Sequence, residues 1–194
     1  MEKEGITLRD VEIIDQEKRK FFIHEIPIKT IERQMSSSGD FNTILFTQPG
    51  VSQSNELSSG YSVRGGNFDE NLVYVNDIEV YRPFLVRSGQ QEGLSFVNGD
   101  MVSGILFSGG GFEAKYGDKM SSVLDIRYRK PRGFKGSASG SLLGETFHLE
   151  GSSKDTRFTW ILGARYKTSK YVLNSLDTKG DYKPRFYDVQ SYLT

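Results

Sequence analysis

The sequence predicts a mainly β protein with short helices. An α+β N-terminal part is followed by the first few strands of a transmembrane β-barrel. Three observations carry this. Glycine is dense at 21 of 194 residues, beside 10 Tyr and 13 Phe, a composition that favours short strands and tight turns. After Pro131 the texture changes, from short apolar runs between polar loops to long strand-like segments. Residues 157–167 alternate almost completely, with Phe158, Trp160, Leu162, Ala164 and Tyr166 on one side and Arg157, Thr159, Ile161, Gly163, Arg165 and Lys167 on the other.

The elements follow in order. TLRDVEII, residues 7–14, reads as a strand charged on one side; an extended IHEIPI and a helical turn at KTIER come next. Asp40 is a helix N-cap before Phe41, Ile44 and Leu45 on one helical face, and Pro49-Gly50 stops that helix. Ser52–Gly60 is a polar loop. Strands are expected over 61–65, 71–76 and 78–81, the last two joined by a tight turn at Asn76-Asp77. Residues 86–95 read as a polar loop, Asn98-Gly99-Asp100 as one helical turn, and Gly104–Ser108 as a strand. Three glycines, 109–111, make a tight turn, and a strand over 121–129 closes the N-terminal part.

Beyond Pro131, GSASGSLLG, TFHLEGSSK, TRFTWILGARYK and RFYDVQSYL read as four strands. At about 3.3 Å per residue the third spans the ~25 Å apolar band of an outer-membrane barrel even when tilted. Aromatics lie near both ends of its apolar face, as in a girdle. Lys154-Asp155 makes a short turn, whereas the connection before the last strand is long, the asymmetry membrane barrels show. Four strands do not close a barrel, so a chain truncated at both ends is expected. The domains are then 1–130 and 131–194.

Several classes fall away. Formal net charge is zero, so no long-range attraction to nucleic acid is expected. RYRKPRGFK, residues 127–135, reads as a solvated membrane-rim segment. The absence of cysteine excludes disulfides and thiolate chemistry. No run of about 18 apolar residues forms a spanning helix, and the charged first ten residues are no signal peptide. Gly109–Gly111 lacks the Lys-Ser/Thr of a phosphate loop, no serine sits in a glycine elbow, and His24 and His148 are far apart. No enzyme, metal or cofactor is expected. His148 beside Glu150 reads as a lumen-facing polar residue.

In order, the chain carries TQPGV, YSVRGG, NLVYVNDIEVYRPF and VSGILFSGGGFEAKYGDKMSSVLDIRYRKP before its alternating strands. The set resembles the plug domain of TonB-dependent outer-membrane receptors running into their barrel, most nearly the variety found in Bacteroidetes. The likeness covers about residues 25–194. It rests on Pro49-Gly50-Val51, Arg64-Gly65 with Gly66, Asn76-Asp77, Gly110-Gly111, Tyr116-Gly117 and Ser121–Ile126. Asn76-Asp77 stands where the family pattern has Asp-Gly.

The resemblance implies a plug gating a barrel of about 22 strands and energy-coupled uptake of a ligand such as a siderophore, glycan or peptide. Its partners would be TonB, outer-membrane lipid, the rest of the barrel and an unknown small ligand. The place would be the cell outer membrane. No TonB box is found in residues 1–12. Plug loops 52–60, 66–70 and 84–95 would face outward, with Asn67, Asp69, Arg87 and Gln90 as ligand candidates. Arg64 is expected to be sequestered with Asp69, Glu70 or Glu79, as a structural pair or part of a mobile lock. The rival is a soluble β-rich binding module of the periplasm or cell surface.

Overall fold

The computed structural model describes residues 23–26, 41–53, 60–83, 87–88, 91–92, 95–142, 144–168 and 185–194. The expected strand 7–14, the turn at KTIER, Asp40, Gln90 and the long connection before the last strand lie outside them.

Apolar pairs at short spacing make short elements in the N-terminal part. Strand β1 (Ile23–Ile26) is followed by a 3-10 helix, Phe41–Thr47, that buries Ile44 and Leu45. Gly50 then takes φ 81° and turns the chain into β2 (Val51–Gln53), which pairs antiparallel with β3 (Tyr61–Val63). The loop expected from Ser52 thus begins as strand. The strand expected over 61–65 stops at Val63, because Arg64 (φ 50°) and Gly65 (φ 82°) are left-handed. A 3-10 turn, Phe68–Glu70, leads to β4 (Asn71–Val75), and β5 (Ile78–Glu79) returns after Asn76-Asp77. Within the expected loop 86–95, β6 (Arg87–Ser88) pairs with β7 (Gln91–Glu92). Asn98 caps the 3-10 turn Gly99–Met101 through its side chain, and β8 (Val102–Ser108) and β9 (Ser122–Tyr128) follow.

These strands form a five-stranded sheet in the order β1-β8-β9-β4-β5, with β4 and β9 parallel. Both faces of β9 are covered. On one side Leu124 and Ile126 join Val73, Ile105, Phe107 and Met101 in the main core; on the other Val123 packs with Leu72 and Tyr116.

Long alternating runs give the second sheet: β10 (Lys135–Ser141), β11 (Gly144–Ser152), β12 (Thr159–Thr168) and β13 (Arg185–Leu193), antiparallel in sequence order. Its faces are sorted unusually. Thr159, Ile161, Gly163 and Arg165 of β12 are buried, as are His148 and Glu150 of β11. Phe147 is 44 % exposed, Tyr187 74 %, Val189 72 % and Leu193 62 %. The polar face therefore turns toward the first sheet and the apolar face turns outward. Ile161 enters the main core of the N-terminal part, which ties the two sheets together.

Candidate functional site

At one end of the five-stranded sheet, residues 66–71 and 119–122 form a hydrogen-bonded cluster. Asn67 Oδ1 accepts from the Phe68 amide (3.0 Å). Lys119 Nζ donates to the Asp69 carbonyl (2.6 Å), Ser121 Oγ to Glu70 Oε2 (2.7 Å) and Ser122 Oγ to Asn71 Oδ1 (2.7 Å). Gly66 permits this approach, since a Cβ there would fall 1.7 Å from Ser121 Oγ. Asn67 and Asp69 are exposed on this cluster. Arg87 contributes backbone to β6, and its side chain, like Gln90, lies outside the described residues. Among the described residues, the structure brings Asn67 and Asp69 onto one cluster.

Arg64 corrects an expectation. It is exposed, not sequestered with Asp69, Glu70 or Glu79. Its left-handed backbone throws the side chain over neighbouring glycine turns: a Cβ on Gly110 would lie 3.3 Å from its Nη1, and one on Gly50 3.2 Å from its Cγ. Gly110 (φ 125°) and Gly111 (φ 70°) supply the backbone turn beneath it. At Gly117 a side chain would meet open space.

At the other end, Asn76 (φ 51°) and Asp77 (φ 66°) form the tight turn. Asn76 Oδ1 accepts from the Tyr128 amide (2.9 Å), and both Arg127 Nη atoms grip Asp77. The Arg127 hydrogen bond holds the Asp77 carboxyl below its usual range. Arg127 also reaches the buried Asp125, whose Oδ2 accepts from Tyr116 Oη (2.7 Å). Burial pushes the Tyr116 hydroxyl up.

A third cluster lies where the two sheets meet. Arg165, 7 % exposed, extends from β12. Its Nη1 donates to the Val97 carbonyl (2.8 Å), its Nη2 to the Ser95 carbonyl (2.8 Å), and its Nε to Asp188 Oδ2 of β13 (3.0 Å). Gln190 Nε2 donates to the Phe96 carbonyl, and Tyr128 Oη donates to Gln190 Oε1 (3.2 Å). Burial pushes the Tyr128 hydroxyl up to about 12. A Cβ at Gly163 would sit 2.4 Å from Asn98 Nδ2. On the same sheet face His148 Nε2 lies 3.5 Å from Glu150 Oε2, both buried. Sequence reading placed Arg165 on the polar side of its strand but did not single it out. The available signal was a charge on the inward side of two alternating strands.

The profile described as TonB-dependent Receptor Plug Domain matches residues 16–123. No curated protein matches the sequence. Among solved structures, the ferric enterobactin receptor of Pseudomonas aeruginosa, a mutant held with enterobactin, is 18 % identical with a TM-score of 0.60. The match covers 91 % of this chain and 31 % of that one. The Serratia marcescens hemophore receptor HasR, with its hemophore and heme, is 12 % identical with a TM-score of 0.59, covering 89 % and 28 %. The Escherichia coli outer membrane transporter YddB is 13 % identical with a TM-score of 0.56, covering 89 % and 30 %. The chain thus spans under a third of the length of these neighbours, and at these identities the likeness is one of fold.

Proposed function

The chain belongs to the TonB-dependent receptor plug family, a family of the outer membrane, and on that premise we propose that it serves energy-coupled uptake of a small ligand. Residues 1–130 act as the plug and 131–194 as the first wall strands. Ligand binds over the apex loops, with Asn67, Asp69, Arg87 and Gln90 as contacts. Binding is signalled to the opposite face, where TonB engages and pulls. No residue is asked for covalent chemistry. The ordered motifs from TQPGV to the GGG turn support the variety found in Bacteroidetes.

The inverted C-terminal sheet carries the membrane reading. In a water-soluble sandwich the apolar face of β12 and β13 would pack inward. Here Tyr187, Val189 and Leu193 face out while Arg165 and Asp188 are nearly closed off from solvent, the arrangement lipid and a polar lumen require. This disfavours a soluble binding module.

The test is growth of a strain lacking the gene on a panel of sole sources. Two neighbours were solved with enterobactin and with a heme-carrying hemophore, so iron carriers come first, then glycans and peptides. Loss of growth on one source, reproduced by removing TonB, is expected. Unchanged growth on every source the wild type takes up through TonB would refute uptake by this protein.

A further inference from the structure

Three consecutive carbonyls of the N-terminal part, those of Ser95, Phe96 and Val97, all accept hydrogen bonds from side chains of the C-terminal sheet. The segment is thus held from both sides: its carbonyls run to the wall, while the Phe96 amide donates to the Pro83 carbonyl (2.6 Å) within the N-terminal part. Arg165 supplies two of the three bonds, and Asp188 holds its guanidinium in place. The planar fork of arginine can meet two carbonyls and a carboxylate together, which a lysine ammonium cannot do in the same geometry. Withdrawing the strap would leave a buried arginine with one partner. The strap is also seated from below, where Asn98 rests on the bare backbone of Gly163.

We propose that Arg165 is a positioning residue that anchors the strap Ser95–Val97 to the barrel wall, so that this part of the plug stays fixed while movement during uptake occurs elsewhere. The inference rests on the plug-in-barrel reading. That reading has its own check in the heat-modifiable migration and outer-membrane fractionation of the unsubstituted receptor.

The chain has no cysteine, so a reporter can be placed cleanly. In the full-length receptor in outer membranes, with any cysteine outside this chain replaced, Ser95→Cys puts a near-isosteric thiol at a side chain 1 % exposed. Leu72→Cys, also 1 % exposed, reports the plug core away from the clamp. Arg165→Ala is expected to speed maleimide labelling at position 95 by at least ~10-fold, the scale of losing buried charge-assisted hydrogen bonds. Labelling at position 72 should not change. Arg165→Lys should fall between, with the barrel still heat-modifiable. Unchanged labelling at 95, or equal acceleration at both positions, overturns the anchor. If Arg165→Ala does not assemble, Arg165→Lys alone decides by the same comparison, and failure of both to assemble also overturns the proposal, since Arg165 would then serve wall folding.

Discussion

Arg64 and Arg165 show how one physical rule lands on different residues. A buried arginine needs a carboxylate and further acceptors. Arg165 has Asp188 and two carbonyls, whereas Arg64 lies exposed over the 109–110 turn. Arg64→Ala should therefore change stability by no more than ~0.5 kcal/mol; a drop of several kcal/mol in a urea titration would show a hidden partner. Asp77 gives a pH prediction. Its carboxyl is depressed by the Arg127 hydrogen bond. The stabilisation is present above the unfolded value, near ~3.9, and is lost as pH falls through the lower folded value. Asp77→Asn should flatten that part of the acid limb and leave the limb above pH 5 parallel to wild type. Because the pair is exposed, added salt should shrink the difference. Asp77 takes a left-handed φ of 66° and keeps a carboxylate for Arg127.

Elements were legible in proportion to their length and periodicity. The four C-terminal strands were readable as long strand-like segments, and in the third period-two alternation fixed which residues share a face, though its strand starts at Thr159 and the first strand stops at Ser141. The turn at Asn76-Asp77 was readable from its residue types. The strands 51–53, 87–88 and 91–92 were not, because two or three residues carry no period. The Arg165 clamp was not, because Asp188 lies 23 positions and a long connection away, and Ser95 lies 70 away. Such pairings depend on topology, not on local pattern. Strand β12 yields a direct test of the outward face. Leu162 stands opposite Leu149 and Ser191 in the sheet, at mid-strand. Leu162→Arg should cost about 2–4 kcal/mol in a lipid-facing setting and cut the amount of assembled receptor in the outer membrane. Leu162→Val should be close to neutral. Equal assembly of both variants would mean that this face is not in lipid.

At the scale of the molecule, the two sheets need each other unequally. The five-stranded sheet carries its own core, with Leu45, Phe107 and Ile126 at 2 % exposure or less. The C-terminal sheet has no such core among its described residues; its one fully buried member of the main cluster, Ile161, borrows the N-terminal core, and the partly buried Tyr192 packs against it. Removing residues 131–194 would uncover the neighbours of Ile161 and hydrate the carbonyls of Ser95, Phe96 and Val97, which water can satisfy. It would also delete the outward apolar face. The fragment 1–130 should therefore stay in solution without detergent, though less stable than the same residues against the wall. Residues 1–194 should need detergent, because a contiguous apolar face of this kind associates in water. Sedimentation of both fragments with and without detergent decides it. If 1–194 is soluble and monomeric in plain buffer, the outward face is not a membrane face.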